Sequence, residues 1–95
     1  MKIKMPKPNK AERILAILSY WDPLKMKDVA GIMFYNYEAE VIAQSVRKNS
    51  SIVTVEKKLR EAIELKAELE GVELILDDTE LHQVAAGILQ SVKNG

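Results

Sequence analysis

The chain has 95 residues, a length typical of one small domain. Hydrophobic residues make up 47% of it, which suffices for one packed core and argues against a disordered chain. Lysine plus arginine number 14, as do aspartate plus glutamate, so the formal net charge is zero. With no cysteine and one histidine, the composition excludes disulfide bonds and cysteine-ligated metals, and it leaves little material for histidine-based catalysis.

Residues 1–9 are predicted to form a flexible basic N-terminal tail, followed by a single helical domain over residues 10–95. Lysines are frequent at the start of the chain, and Pro6 and Pro8 favour extended backbone. No apolar run of signal-peptide type follows, and no stretch approaches the roughly 20 apolar residues of a membrane helix. We therefore expect a cytoplasmic protein without membrane association.

A first helix is predicted over residues 10–20. Asn9 is suited to cap it, and Glu12 follows at capping-box spacing. The apolar residues that recur at helical spacing are Ile14, Leu15, Ile17, Leu18 and Trp21. Pro23 ends the helix, because proline disfavours helical backbone at the preceding residue. We expect Asp22 to be extended, with its carboxylate accepting backbone amides of the following turn.

Two interpretations fit residues 24–34: a short helix, or an apolar loop packed over the core. Gly31 weakens a helix by about 1 kcal/mol relative to alanine. A second firm helix is predicted to begin at Asn36 as its N-cap and to carry Arg47 and Lys48 in its last turn, where cations are favoured. Its inward stripe is Ala39, Ile42 and Val46.

A third helix is predicted from Ser51 or Thr54 to about Glu70, with Gly71 in the left-handed position that closes it. Its expected buried face consists of Val55, Leu59, Ala62, Ile63 and Leu69.

The last helix is predicted to start at Asp77, with Glu80 at capping-box spacing. Its apolar stripe is the cleanest of the chain: Leu81, Val84, Ala85, Ile88, Leu89 and Val92. Residues 72–76 alternate in hydrophobicity, so they are either a connector or a strand paired with residues 52–55. Together the elements predict an all-α fold, a small helical bundle of four main helices with room for one extra short helix, and with the last helix at its centre.

The carboxylates and the histidine do not form a recognisable catalytic or metal-binding motif. Glu38 and Glu40 are two apart on a helix, so they point in different directions and cannot share a metal. His82 is interpreted as a surface or boundary histidine. The sequence also lacks a Glu-x-x-His pair and a glycine-rich phosphate loop. We therefore predict no enzyme activity, no catalytic residues, no cofactor and no metal.

Nucleic-acid binding is the alternative that we weigh, through a helix-turn-helix over residues 25–48. The first turn of its recognition helix would carry Glu38 and Glu40, which oppose a phosphate backbone. Basic residues arrive only at Arg47 and Lys48, and the chain is neutral overall. Nucleic acid is therefore an unfavoured partner.

Charge and aromatic residues indicate where a protein partner could bind. Residues 1–53 carry a balance of +4 and residues 54–80 a balance of −5. The aromatic residues form two clusters that either plug the end of the bundle or anchor a partner. The candidate interaction surface is Trp21, Tyr35, Tyr37, Glu61, Glu64 and Glu68. We expect a small non-catalytic protein–protein interaction module of adaptor, regulator or immunity type, with an unknown protein partner. A homodimer is plausible because a chain of this size buries limited area alone.

The WDPL segment at residues 21–24 follows an apolar helix, and a Tyr-Glu-x-Glu segment at residues 37–40 lies on the next helix. This arrangement resembles the YugE-like family of small bacterial proteins, a domain of unknown function. The similarity spans residues 10–92 in pattern, with residues 27–34 as an insertion. The resemblance implies an all-helical bacterial cytoplasmic protein. It implies no activity, and no functional residues are transferred.

Overall fold

The computed structural model of the chain describes residues 8–31 and 33–94, so nearly all of the predicted tail lies outside the described residues. Within them the chain forms five helices, which are α1 (Lys10–Trp21), α2 (Lys27–Ala30), α3 (Asn36–Ser45), α4 (Ile52–Glu70) and α5 (Asp78–Asn94). The predicted all-α bundle of four main helices and one short helix is confirmed. No β-strand occurs in this part of the chain.

Three of the helices begin as the sequence predicts, with a side-chain oxygen accepting an amide of the first turn. The bonds are Glu12 N–H to Asn9 at 2.8 Å, Thr54 N–H to Ser51 at 3.2 Å and Glu80 N–H to Asp77 at 3.0 Å. Gly71 closes α4 in the left-handed conformation, with φ +66°. These ends follow from local sequence because capping involves residues only three apart.

The prediction for the ends of α3 is wrong. Asn36 is its first residue, and Tyr35 stands at the cap position without a side-chain cap bond. The helix ends at Ser45, because Val46 turns to extended backbone (φ −97°, ψ 129°) while its side chain is fully buried. β-Branched valine accepts that conformation readily. Arg47 and the lysine after it therefore lie beyond the helix and do not belong to its last turn.

The four long helices pack as a ring around one core: α1 contacts α3 and α5, and α4 contacts the same two. The last helix is therefore not central, because each long helix buries one stripe between two neighbours. The side chains with no solvent exposure at the centre are Ile14, Leu18, Ala39, Ile42, Val46, Val55, Leu59, Ile63, Ala85 and Ile88.

One residue of the predicted face of α4 is misplaced. Leu69 is 71% exposed, and Ala67 takes its place in the core at 4%. Ala67 continues the four-residue spacing of Leu59 and Ile63, whereas Leu69 lies two residues further and on the opposite side of the helix.

Residues 72–76 are an unpaired connector between α4 and α5, because the suggested partner, residues 52–55, forms the first turn of α4. Val72, Leu74 and Leu76 are half-buried and pack against the core, while the two residues between them are exposed. This alternation is typical of an extended backbone.

None of the helices in residues 8–31 and 33–94 is both long enough and apolar enough to cross a membrane.

Candidate interaction surfaces

The turn after α1 is organised by Asp22, which adopts the left-handed conformation (φ 46°, ψ 62°) and not the extended one predicted. Its N–H donates to the Leu18 carbonyl at 2.8 Å and closes the helix. Pro23 disfavours right-handed helical backbone at Asp22, and aspartate is one of the few residues other than glycine that tolerate the left-handed conformation. The predicted role of the carboxylate is confirmed, because Asp22 Oδ1 accepts the Met26 N–H at 3.1 Å.

Tyr35 completes this turn from the far side of α2. Its side chain is 1% exposed, and its hydroxyl donates to Asp22 Oδ1 at 2.6 Å while accepting the Leu24 N–H at 3.1 Å. Burial, followed by the hydrogen bond to Asp22, raises the pKa of the phenol above its usual 10.0. Tyr35 is therefore not available to a partner, and its place on the candidate surface is corrected. We call Asp22, Leu24, Met26 and Tyr35 the Asp22 corner.

The other two aromatic candidates differ from Tyr35 and from each other. Trp21 is half-buried, and its indole N–H donates to the Glu80 carboxylate, which joins the end of α1 to the first turn of α5. Tyr37 is 64% exposed on α3. The structure thus brings Trp21 to the end of the bundle and leaves Tyr37 on the surface.

A buried charge lies between α3 and α4. Glu38 is 4% exposed, and Lys66 Nζ lies 3.9 Å from its Oε1, which accepts no hydrogen bond from the described residues. The same ammonium lies 4.2 Å from the centre of the Phe34 ring and 3.4 Å from the Glu70 carboxylate. Glu38 is thus part of the interior, and Lys66 supplies its counter-charge.

Two of the three acidic candidates line a groove of about 400 Å³ between α4 and residues 72–76. We call it the acidic groove; its lining residues are Arg60, Glu64, Ala67, Glu68, Val72, Leu74 and Leu76. In this lining Glu64 and Glu68 are exposed carboxylates, while Val72, Leu74 and Leu76 are half-buried apolar side chains. Glu61 is also exposed, but it does not belong to the lining of the groove.

Some charged and backbone groups of the acidic groove have partners within the molecule and others do not. Arg60 binds the Asp78 carboxylate at 2.6 Å and lies 4.0 Å from Glu64. The Glu68 carboxylate has no partner among the described residues. The Val72 N–H donates to Ala67 at 3.0 Å, but residues 73–76 make no backbone hydrogen bond within the described part of the chain. The groove therefore presents an unpaired carboxylate beside an unpaired extended backbone.

A second cavity has a volume of about 480 Å³, and its lining is basic where that of the acidic groove carries carboxylates. We call it the basic pocket; it is lined by Asn9, Lys10, Arg13, Arg47, Lys48 and Val92. It joins the start of α1, the turn between α3 and α4, and the end of α5. No carboxylate side chain of residues 8–31 and 33–94 belongs to its lining.

Two of the four cations of the basic pocket are held in place by hydrogen bonds. Lys10 Nζ donates to the Val46 carbonyl, and Arg13 donates to Ser91 Oγ at 3.1 Å and to the Pro8 carbonyl at 3.0 Å. Burial, followed by the charges of Arg47 and Arg13, lowers the pKa of the Lys10 ammonium. Lys10 is therefore close enough to Arg47 and Arg13 for their charges to repel its ammonium.

Sequence reasoning did not find the basic pocket. Three-residue spacing places Lys10 and Arg13 on one face of α1, which is a visible signal. Their proximity to Arg47 and Lys48 depends on the packing of α1 against α3, and the sequence pattern does not contain it.

His82 is an exposed residue of α5, as predicted, and its Nδ1 pairs with the Glu56 carboxylate of α4. Across residues 8–31 and 33–94, no group of three or more histidine, aspartate or glutamate side chains is arranged to hold a metal ion.

Comparison with protein-family models, with curated proteins and with solved structures yields no match. Membership of the YugE-like family stays a prediction.

Proposed function

We propose that this chain is a non-catalytic protein–protein interaction module, an adaptor or regulator, that binds an extended basic and apolar segment of a partner protein. The binding site is the acidic groove. The observation that carries the proposal is the combination, in one groove, of half-buried apolar side chains, the Glu68 carboxylate and the connector of residues 73–76, whose backbone makes no hydrogen bond within the described residues.

The backbone of residues 73–76 gives the partner its main-chain contacts. An extended segment with free N–H and C=O groups accepts another strand beside it, and alternate side chains of that strand reach the neighbouring surface. Ile75 is 85% exposed, so it offers an apolar contact outside the groove as well. Burial of such surface contributes about 25 cal/mol per Å² before the costs of association.

Charge selects the partner. Glu64 and Glu68 line the groove beside Val72, Leu74 and Leu76, and residues 54–80 carry a balance of −5. Arg60, the one cation among the described lining residues, is engaged by Asp78. A segment with lysine or arginine between apolar residues complements this field, and complementarity favours association and specificity. A second copy of residues 72–76 would bring Glu73 and no cation, so a heterologous partner fits better.

The test uses isotope-labelled protein and a short synthetic peptide that alternates valine and lysine, followed by nuclear magnetic resonance. We expect saturable shifts of the amides of residues 60–76. The variant Glu64→Gln, Glu68→Gln should weaken binding about fivefold or more. Glu12→Gln, Glu40→Gln is the matched control, because both carboxylates are exposed and lie outside the groove.

Three outcomes contradict the proposal. A peptide that alternates valine and glutamate could bind equally well, the control variant could lose as much affinity as the groove variant, or no saturable shift could occur. Light scattering at the same concentrations adds a fourth, since a homodimer that covers the groove would assign this surface to a second copy.

The helix-turn-helix alternative over residues 25–48 is not proposed further. α2 has only four residues, and α3 contains no basic residue between Asn36 and Ser45. Arg47 and Lys48, which the alternative needs near DNA, line the basic pocket.

A further inference from the structure

We propose that the basic pocket binds a small phosphate-bearing anion, with Arg47 and Lys48 as its main ligands beside Lys10 and Arg13. This site is separate from the acidic groove and does not rest on the proposed function. None of the four residues belongs to the lining of that groove.

The first argument is charge. Four cations from distant parts of the sequence line one cavity, and none of them forms an ion pair within the described residues. Elsewhere Arg60 and Lys66 are paired with carboxylates. Like charges at close range repel each other, and a polyanion in the cavity removes this repulsion. Burial is the main reason for the lowered pKa of Lys10, and the charges of Arg47 and Arg13 lower it further, in agreement with this repulsion.

The second argument is geometry. A volume of about 480 Å³ is that of a small-molecule site, since such pockets span roughly 300–1,000 Å³. Lys10 and Arg13 are already fixed by hydrogen bonds to Val46, Ser91 and Pro8, so little order is lost when an anion binds. The exposed Arg47 and Lys48 side chains are free to close on the ligand, and the arginine fork suits phosphate oxygens.

The third argument concerns the size and charge of the ligand. Each phosphate monoester carries about −1.5 to −2, so two phosphate groups match four cations. A duplex would need a basic track along the surface. Here the cations line one cavity at one end of a neutral molecule. A compact anion with two phosphate groups is therefore favoured over nucleic acid.

The experiment titrates the whole protein with inorganic pyrophosphate at low ionic strength, followed by calorimetry and by amide shifts. We expect one saturable site, with shifts at residues 9–13 and 46–48. The variant Arg47→Ala, Lys48→Ala should bind about tenfold or more weakly. Lys57→Ala, Lys58→Ala on α4 makes the same change in net charge outside the pocket and should bind within about twofold of the original.

Two further titrations ask whether the phosphate groups belong to a soluble molecule or to a lipid. Adenosine diphosphate represents a soluble ligand, and vesicles with phosphatidic acid represent a lipid headgroup; binding of either in competition with pyrophosphate supports the site. The proposal is overturned if pyrophosphate does not bind saturably, if the Lys57, Lys58 control loses as much affinity, or if only duplex DNA binds. Because the groove peptide is a different probe, failure here is distinguishable from failure of the proposed function.

Discussion

The Asp22 corner and the basic pocket both collect polar groups from separate parts of the chain, and they differ in where those groups find partners. In the corner, the Tyr35 hydroxyl and two backbone amides are satisfied within the molecule. In the pocket, Arg47 and Lys48 find no carboxylate among the described residues. Internally paired polar groups stabilise a fold, whereas unpaired exposed charges are available to a ligand. Substitutions should therefore separate the two regions by what they change.

The largest loss of stability is expected from Asp22→Ala. It removes the acceptor of the Tyr35 hydroxyl and of the Met26 amide, and it places alanine in a left-handed conformation. We expect the free energy of unfolding to fall by about 2–4 kcal/mol. Urea denaturation measures this, with the exposed Asp28→Ala of α2 as the control. If the two variants were equally stable, the Asp22 corner would not be a stabilising unit.

Lys66→Met should have the next largest effect on stability. It tests a case between the two regions, because the buried Glu38 carboxylate has a counter-charge but its Oε1 accepts no hydrogen bond from the described residues. It leaves Glu38, 4% exposed, without its counter-charge. We expect a loss of about 1–3 kcal/mol in unfolding free energy. Adding Glu38→Gln should recover part of it. Lys57→Met, at an exposed position, should change little. An unchanged stability for Lys66→Met would show that the ammonium does not compensate Glu38.

Tyr35→Phe should cost about 1–2 kcal/mol at neutral pH, because the Leu24 amide loses its acceptor. The exposed Tyr37→Phe is the matched control. The pKa of Tyr35 is raised in the folded state, so the native protein keeps a proton that the unfolded chain loses above its reference value of 10.0. The contribution of Tyr35 is thus complete below about pH 10 and is lost as pH rises further.

The pH dependence has its own measurement. Denaturation of the original protein and of Tyr35→Phe should show a difference in unfolding free energy that shrinks above pH 10. The lowered pKa of Lys10 changes stability with pH in the opposite direction, but Lys10 is present in both proteins, so its effect cancels from the difference. If the difference in unfolding free energy stayed constant above pH 10, the raised pKa of Tyr35 in the folded protein would be contradicted.

The parts of this fold that the sequence predicts are those that depend on interactions between residues three or four positions apart. Asn9, Ser51 and Asp77 mark helix starts because each accepts an amide three residues away. The spacing of Leu59 and Ile63 likewise identifies the buried side of α4. These features give the all-α fold and its four long helices.

The remaining features depend on packing between distant segments. The conformation of Asp22 is coupled to Tyr35, which lies beyond α2, and hydrophobic spacing does not encode that contact. The burial of Glu38 depends on Lys66 of another helix. The basic pocket needs α1 beside the turn that follows α3. Of the candidate site, Glu64 and Glu68 are exposed, as the charge clustering indicates. Tyr35 is buried, which agrees with the interpretation that the aromatic residues plug the end of the bundle and not with a partner anchor, and the sequence pattern alone does not decide between the two.

The smallest effect on stability is expected for Arg47→Ala, Lys48→Ala, and this variant gives the most direct test of the comparison. Thermal unfolding is recorded for the original protein, for Tyr35→Phe and for this pocket variant, each with and without inorganic pyrophosphate. We predict that the pocket variant unfolds within about 0.5 kcal/mol of the original, since exposed charges contribute little. Pyrophosphate should stabilise the original and Tyr35→Phe by the same increment and should stabilise the pocket variant clearly less, because that variant binds it about tenfold or more weakly. An equal increment in all three proteins, or none in the original, would contradict the account.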